Sequence, residues 1–502
     1  MDITQENIHK LIDLYHNNRF AQYSHNYNSF NQFINESVFD EMNGPNLIYE
    51  TEFKGNVYKY KLKFNNVRLK EPSNESSNDT NTVLFPEDFK AKFLTYSSKL
   101  VADVQQIQEV YNPETNTTEE KISYEDKNVT VGKIPIMVRS NYCNTVLNKD
   151  KPNKECPFNP GGIFILKGAE KLVIPQESIV FNRAKVFSKK DKTTLDKITY
   201  SVQVYSKIVE KLNSNLQIIS IKMRKDNAML LTMSQLSDVP VCILFKALGI
   251  VSDKDIINHI TMTNQDIDMT NIIKASMDHY KTETWRFESE LGDDSIKYVN
   301  TQDDAINYLI TKMKLMGKRF SNTDPQTRLM QKREYLHKII LERDLLPHMT
   351  TGDYKKGCFL GHMCNKLLNC VLKRIVPDDR DAMPNKRIDT IGILMGQIYR
   401  LAHKKMIADC TKYFRKKNND NHDVPVNAIS QIKPSIIEQN MNSPLSCGTW
   451  GTSGRKGVAQ MAQRYTFLQF ISGLTRTVTS QLSTSSKVEG MRFVHNTQYG
   501  FF

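Results

Sequence analysis

The last part of the chain contains basic side chains that could bind a polyanion. Six of them occur between Ser446 and the C-terminus, against one acidic residue, Glu489. The six are Arg455, Lys456, Arg464, Arg476, Lys487 and Arg492. Hydroxyl and amide side chains surround them, and such a mixture can neutralise phosphates while donating to sugars and bases. The pattern indicates contact with a polyanion, and the alternative is an exposed basic face without a partner.

Glycines accompany two of these cations in the segment Gly448–Gly457. This segment looks like a phosphate-binding loop, but no Gly-x4-Gly-Lys-Ser/Thr frame fits it, because Arg455 precedes Lys456 and Gly457 follows it. No predicted strand precedes the segment either. We therefore expect a flexible loop that presents Arg455 and Lys456 to a polyanion, or else a plain solvated loop.

Carboxylates that could hold a metal ion follow Pro377. They are Asp378, Asp379 and Asp381. Three basic residues share the same proline-bounded joint, namely Arg380, Lys386 and Arg387. Because these cations can neutralise the carboxylates, we expect a salt-bridge cluster between domains in preference to a metal site.

The cysteines and histidines indicate no catalytic or metal centre. The eight cysteines are scattered, and the chain has no Cys-x-x-Cys pair of the kind that binds zinc or cycles between redox states. Cys358, His362 and Cys364 lie close together, but the apolar run around them predicts a buried helix whose thiols act as small apolar groups. The histidines form no Ser/His/Asp or Cys/His arrangement.

The elements that must position these residues are both strands and helices. Apolar and polar residues alternate in Asn46–Phe53 and Val57–Asn65, which predicts strands with one wet face. Residues 112–120 predict a polar loop. From residue 240 the spacing becomes helical, and Ile388–Lys417 predicts one long helix with an apolar stripe. Basic residues gather at its far end, where they complement the helix dipole.

Composition sets the broad class. A length of 502 residues, with 39% hydrophobic and 25% charged residues, predicts roughly two to four globular domains. No apolar run reaches the length of about 18 residues that a membrane span needs, and the polar N-terminus is unlike a secretion signal. The formal net charge of +13 favours a polyanionic partner, most often nucleic acid. We therefore expect an intracellular protein with no membrane partner.

Two aromatic residues, Phe501 and Phe502, end the sequence in mid-pattern. Termini usually fray into water, where bare apolar rings are unfavourable. We therefore expect a further polypeptide to cover these rings, or the protein to continue as another polypeptide.

Nine sequence runs are specific for one family when they are taken together. They are Ser29–Ile34, Leu94–Ser98, Gly132–Ser140, Cys156–Glu177, Val239–Ile250, Leu345–Met349, Asp378–Asp381, Asn385–Asp389 and His495–Gly500. They occur in the same order as in the family and are distributed along nearly the whole chain. The chain resembles the N-terminal part of the second-largest (β-type) subunit of multisubunit DNA-directed RNA polymerases, of the eukaryotic, archaeal and large-DNA-virus type.

The resemblance implies a multidomain α+β fold of mixed strands and helices. Residues 1–19 would form an N-terminal helix, 20–185 the first part of the protrusion domain, and 186–387 an inserted lobe. Residues 388–432 would return to the protrusion as a helix, and 433–502 would form the fork region.

The resemblance also implies a role in transcription. The chain would form part of the DNA cleft and contact the template and the RNA–DNA hybrid. Carried over by position, the contacting residues would be Arg455 and Lys456 on the first fork loop, Gln460, Arg464 and Arg476 at the hybrid or cleft, and Lys487 and Arg492 on or beside the second fork loop.

Cofactors and partners follow from the same resemblance. Nucleotidyl transfer needs carboxylates that hold metal ions, and in the family these come mainly from the largest subunit. The resemblance thus implies no cofactor on this chain and Mg²⁺ elsewhere in the assembled enzyme. Implied partners are the largest subunit, the remaining part of the second-largest subunit, other polymerase subunits, template DNA and the hybrid. The implied location is the nucleus, or the host cytoplasm and virion for a viral protein.

The chain departs from the family pattern near its end. Thr475 stands where the family has an arginine, which puts a cleft contact there in doubt, and Thr477–Gly490 is shorter than the family's second fork loop. The Cys-Pro-x-Glu-Thr-Pro-Glu-Gly run that follows in the family is missing. We expect one part of a split second subunit, not catalytic alone. The alternatives are a stand-alone nucleic-acid-binding protein and a truncated reading frame derived from that subunit.

Overall fold

A computed structural model gives the fold. The structure describes residues 7, 9–11, 14, 21–44, 46–53, 56–73, 83–112, 117–152, 155–156, 158–190, 198–208, 216–262, 266–281, 284–286, 296–314, 325–349, 352–379, 382–420, 426–451, 455–479 and 496. The predicted site residues Lys487 and Arg492 lie outside this part of the chain, and so do Phe501 and Phe502.

Helices and strands are mixed along the chain, which confirms the α+β class. The helices are α1 (Ser24–Gln32), α2 (Phe39–Met42), α3 (Pro86–Ala91), α4 (Asn144–Leu147), α5 (Val241–Ala247), α6 (Asp253–Thr261), α7 (Ile267–Lys281), α8 (Gln302–Lys312), α9 (Pro325–Tyr335), α10 (Asp353–Val371), α11 (Ile391–Asp420), α12 (Pro434–Cys447) and α13 (Phe467–Thr475). The strands are β1 (Asn46–Phe53), β2 (Asn56–Leu69), β3 (Ser97–Asn112), β4 (Thr117–Pro135), β5 (Phe164–Leu166), β6 (Ala169–Val173), β7 (Gln176–Ile179), β8 (Lys185–Lys190), β9 (Ile198–Ser206), β10 (Gln217–Met223), β11 (Met229–Thr232), β12 (Val239–Pro240), β13 (Thr284–Arg286), β14 (Ile296–Tyr298), β15 (Lys386–Asp389), β16 (Ala459–Met461) and β17 (Val478–Thr479).

The chain divides into two compact units. Unit 1 comprises Met1–Ser178 and Ile388–Glu489, and unit 2 comprises Ile179–Arg387 and Gly490–Phe502. The assignment of protrusion, lobe and fork to stretches of the chain stays a prediction.

Unit 1 contains a four-stranded antiparallel sheet in the order β1-β2-β3-β4. Its inner face is apolar because alternate residues of β2 and β3, such as Leu62, Phe64 and Val104, are buried. Helix α11 packs on this sheet, and the Phe414 ring centroid lies 4.7 Å from that of Tyr60. A second, smaller sheet has the order β16-β6-β5 and brings residues near 460 beside residues near 170.

Unit 2 has a five-stranded antiparallel sheet in the order β12-β11-β10-β9-β8, and helices α5 to α10 belong to the same unit. Helix α10 approaches α6 so closely that a Cβ atom at Gly361 would lie 2.4 Å from the carbonyl oxygen of His259. The buried Nζ atom of Lys356 donates to the carbonyl oxygens of Leu341 and Glu342, each at 2.6 Å. These bonds satisfy a charge that burial would otherwise penalise.

The predicted polar loop at 112–120 is wrong for most of its length. Strand β3 continues to Asn112, and β4 begins at Thr117, with Glu119 opposite Val110 and Glu120 opposite Glu109. Residues 118–120 are exposed, so no apolar alternation marks them, and backbone pairing with β3 determines their strand conformation.

None of the described helices combines the length and the apolar character that crossing a lipid bilayer requires.

Candidate nucleic-acid interface

The loop after α12 is closed at its base by backbone hydrogen bonds. Trp450 N–H donates to the carbonyl of Arg455 at 2.7 Å, and Val458 N–H donates to that of Gly448 at 3.2 Å. Gly448 has a φ of +76°, and a Cβ atom there would lie 2.5 Å from the carbonyl oxygen of Ala459. Only glycine fits this close approach. The glycine-rich segment therefore forms a closed loop, of which residues 452–454 lie outside the described part.

Trp450 fixes this loop to α11. Its buried indole Nε1–H donates to the carbonyl of Leu394 at 2.9 Å. The guanidinium of Arg455 is 3.9 Å from the buried Asp389 carboxylate, and its Nη1 atom has no hydrogen-bond partner among the described residues. Lys456 is exposed and forms no ion pair with a described carboxylate. Of the two predicted loop cations, Lys456 is thus the one presented to solvent.

The strand pair β6–β16 places an amide and a second lysine beside the base of this loop. Gln460 lies opposite Leu172 and Met461 opposite Lys171. The exposed Gln460 Nε2 donates to the carbonyl of Gly457 at 3.1 Å, which ties the strand to the loop. Lys171 Nζ donates to the carbonyl of Ser446 at 3.2 Å. Sequence reasoning missed Lys171, because no local pattern places a residue of β6 beside one so distant in the chain.

Arg464 is held by a carboxylate. Its Nε atom donates to Glu170, its Nη2 atom donates to Asn159 Oδ1 at 3.2 Å, and its guanidinium lies 4.2 Å from the Phe470 ring centroid. Glu170 also binds Lys90 Nζ at 2.6 Å. Burial alone would raise the pKa of Glu170, but the hydrogen bonds from Arg464 and Lys90 outweigh it and lower that pKa. Arg464 is thus placed at the surface with its charge already compensated.

Removing the charge of Glu170 tests this compensation. In Glu170→Gln we expect a free energy of unfolding lower by about 2 kcal/mol, because two charge-assisted hydrogen bonds weaken. We also expect affinity for an RNA–DNA hybrid to rise by about fivefold at low salt, because Arg464 becomes free to neutralise a phosphate. Urea unfolding and fluorescence anisotropy with a labelled hybrid measure the two effects.

Glu50→Gln is the matched control. It removes the same charge from an exposed pair with Lys59, whose Nζ lies 3.1 Å from the Glu50 carboxylate, and exposed pairs contribute at most about 1 kcal/mol. Equal gains in hybrid affinity for the two variants would contradict the local role of Glu170 and would leave only a net-charge effect.

The remaining predicted residues are Arg476, Lys487 and Arg492. Arg476 is exposed after α13, and its Nη2 atom is 3.5 Å from Ser472 Oγ. The structure thus brings Lys456, Gln460 and Arg464 together with Lys171 around β6, β16 and the adjoining loop, and Arg476 lies beyond the C-terminal end of α13. Lys487 and Arg492 stay predictions.

An exposed apolar group adjoins these polar residues. Tyr465 is 86% exposed, Leu468 is 79% exposed and Phe467 is 61% exposed. They lie at or just before the start of α13, in which Phe470 and Leu474 are buried and Ile471 is half-buried. A helix that is apolar on several faces is normally buried on several faces, so the exposed side of α13 is suited to a partner.

The other sequence candidates belong to unit 2, and those that the structure describes form no metal site. Asp378 accepts from Lys366 Nζ at 2.7 Å and from the backbone N–H of Val186 at 2.8 Å. Its ion pair is thus with α10, and Arg380 and Asp381 lie outside the described part. Within the described residues, no three His, Cys, Asp or Glu side chains are placed to hold a metal ion.

The predicted buried helix at 358–364 is partly wrong. Cys364 is buried, but Cys358 and His362 are exposed, because helix periodicity turns them away from the core. The Cys358 Sγ atom lies 3.8 Å from Nδ1 of His259.

Comparison with known proteins supports one family. The family model described as "RNA polymerase beta subunit" matches residues 23–439. The chain belongs to the RNA polymerase β-subunit family. It is 35% identical to DNA-directed RNA polymerase subunit 2 of Acanthamoeba polyphaga mimivirus, over 99% of this chain and 41% of the relative.

Further members of the β-subunit family are also similar. DNA-directed RNA polymerase II subunit RPB2 of Schizosaccharomyces pombe is 31% identical over 94% of this chain and 39% of its own length. DNA-directed RNA polymerase subunit Rpo2 of Sulfolobus acidocaldarius is 26% identical over 94% of this chain and 38% of its own length. This β-subunit chain therefore spans about two fifths of the relatives it matches, and it corresponds to their N-terminal region.

Proposed function

We propose that this chain is the N-terminal portion of the second-largest subunit of a DNA-directed RNA polymerase, where it forms part of the DNA cleft and contacts template and RNA–DNA hybrid. The observation that carries the proposal is the match of nearly the whole chain to the N-terminal region of such subunits. The exposed side chains of Lys456 and Gln460 support it, because they combine a cation with an amide that can donate to sugars or bases.

The chain acts in this proposal without performing the chemistry. Phosphoryl transfer needs metal ions that stabilise the attacking and leaving oxygens. In this proposal Mg²⁺ is held mainly by the largest subunit of the assembled enzyme. The contribution of this chain is to position and neutralise nucleic acid, in a nucleus or at a viral site of transcription.

The exposed apolar side of α13 supports the proposal that a further polypeptide packs against this chain. Its occupant in this proposal is the remaining part of the second-largest subunit, because the matched relatives carry about three fifths of their length outside the region aligned here. Apolar surface of this kind is characteristic of protein interfaces.

Charging this apolar group tests the assembly. We expect Leu468→Asp to fold as the wild type does, within about 0.5 kcal/mol, because the side chain is 79% exposed. We expect recovery of polymerase subunits with the tagged chain to fall by at least about tenfold, because a carboxylate in an apolar interface is left unpaired. Mass spectrometry of the purified complex, isolated from the cells that encode the protein, measures recovery of the other polymerase subunits.

Val376→Asp is the control, since Val376 is similarly exposed at 84% but belongs to unit 2. Undiminished recovery with Leu468→Asp would exclude α13 as the contact. Recovery of no polymerase sequence with the wild-type chain would overturn the proposed function itself. Nucleic-acid binding without such partners would instead support the alternative, a stand-alone binding protein.

A further inference from the structure

The strongest charge concentration among the described helices lies on the outer face of α11. Between residues 404 and 417 the helix carries six basic residues and one acidic residue, Asp409, which leaves a net charge of +5. The chain as a whole has a net charge of only +13. We define the α11 basic face by the five exposed cations that share one side of the helix, Lys404, Lys405, Lys412, Arg415 and Lys416; Lys417 is exposed at the helix end.

The opposite face of the same stretch is fixed in the core. Met406, Cys410 and Phe414 recur at intervals of four residues and are buried. Because packing sets the rotation of the helix, the basic face must point into solvent. The cations of the α11 basic face are therefore held in fixed positions by a packed helix, unlike those of a basic tail.

Helix stability alone does not account for this array. Cations complement the helix dipole only within the last turn, whereas Lys405 and Lys412 lie two or more turns before the helix end at Asp420. Solvated helix faces usually alternate charge signs at i,i+4, but here Lys412 and Lys416 repel each other at that spacing. Asp409 compensates only in part, at 3.5 Å from Lys412 Nζ. A function outside the helix explains such a pattern.

The chemistry of the face selects duplex nucleic acid. Protein interfaces need an apolar centre, and single strands are bound by stacking on exposed rings. Between residues 404 and 417 no large apolar side chain is fully exposed, since Phe414 is buried and Tyr413 is half-buried. Cations without rings or apolar anchors suit the phosphate backbone, which they contact without reading sequence.

The helix also sets the distance to the candidate interface. Trp450 attaches the loop after α12 to α11 at Leu394. At a rise of about 1.5 Å per residue, the basic face lies about 15 to 35 Å further along the helix axis. This distance is too long for one phosphate and is comparable to one turn of duplex, about 34 Å.

We infer that the α11 basic face binds the sugar–phosphate backbone of duplex DNA, at a site separate from the loop after α12. The inference rests on the proposed function for the identity of that duplex as template DNA. Binding would be independent of sequence and strongly dependent on salt.

The test compares the wild-type chain with a triple variant, Lys405→Gln, Lys412→Gln and Lys416→Gln, which keeps good helix formers. Anisotropy titrations at several salt concentrations use a labelled duplex of about 20 base pairs, two helical turns, and a single strand of equal length. We expect duplex affinity to fall by about tenfold or more, and the slope of log K against log salt concentration to lessen by about 2 to 3.

A control variant removes the same charge from exposed lysines of unit 2, Lys189→Gln, Lys254→Gln and Lys274→Gln, and we expect it to keep the wild-type slope. An equal fall for both variants, or an equal loss for the single strand, would overturn the inference. Unchanged duplex binding with lost recovery of polymerase subunits would also overturn it and would make the face a protein contact. A chain that shows the duplex effect but never assembles with polymerase would refute the proposed function and leave this inference standing.

Discussion

Replacing Gly392 by alanine is expected to lower the free energy of unfolding of unit 1 by about 3 kcal/mol. Gly392 lies in the first turn of α11, where its N–H donates to Ser29 Oγ of α1 at 2.8 Å. A Cβ atom there would lie 1.9 Å from the carbonyl oxygen of Ser29 and 2.7 Å from its carbonyl carbon. These atoms belong to a helix backbone, so relief requires the two helices to separate. That separation would also loosen the contact of Phe33 with Tyr399, whose ring centroids are 6.2 Å apart.

Urea unfolding followed by tryptophan fluorescence measures this effect. The sequence has two tryptophans, and a Trp285→Phe background leaves Trp450 of unit 1 as the only reporter. Gly473→Ala is the control, because its Cβ would meet only Leu172 Cδ1, at 2.8 Å, the end of a flexible side chain. Alanine also gains about 1 kcal/mol of helix propensity over glycine. If Gly392→Ala were as stable as Gly473→Ala, α1 and α11 would not approach as closely as described.

The second large effect is a loss of stability in acid that originates at His403. This residue is 3% exposed, and its Nε2 atom has no hydrogen-bond partner among the described residues. Its pKa is lowered from 6.5 to about 4, mainly because burial penalises the charged ring and also because Lys404 repels it. The unfolded chain therefore binds a proton at a pH where the folded chain does not. The stability that neutral His403 allows is complete above pH 6.5 and is lost as the pH falls through about 4.

The pKa difference corresponds to a loss of about 3 kcal/mol between neutral pH and pH 4. We expect His403→Phe to abolish this part of the pH dependence while it keeps the ring contact with Phe64. The pKa of His25 in the same unit is also lowered, mainly by burial, but His25 is present in both proteins and cancels in the comparison. His337→Gln, at an exposed position of unit 2, should keep the wild-type curve. An unchanged pH dependence in His403→Phe would show that other groups cause the acid loss.

Local sequence patterns predicted the elements whose two faces differ. The alternation in Asn46–Phe53 and Val57–Asn65 predicted β1 and most of β2, and the apolar stripe after residue 388 predicted α11. Prediction failed where both faces are wet, as in residues 118–120, because period-2 patterning reports burial and not strand conformation itself. It also failed at Cys358, because the apolar content of a segment does not fix which side of a helix meets the core.

The family, the charge balance and the basic residues that a polyanion could contact can be read from the amino-acid sequence, because these depend on composition and on the order of local motifs. Which of these cations are available for binding depends on the folded structure. It pairs Arg464 with Glu170, which lies 294 positions away, sets Lys171 opposite Met461, and turns the α11 basic face outward. Such pairings follow from packing and strand register between distant segments, and no local spacing encodes them.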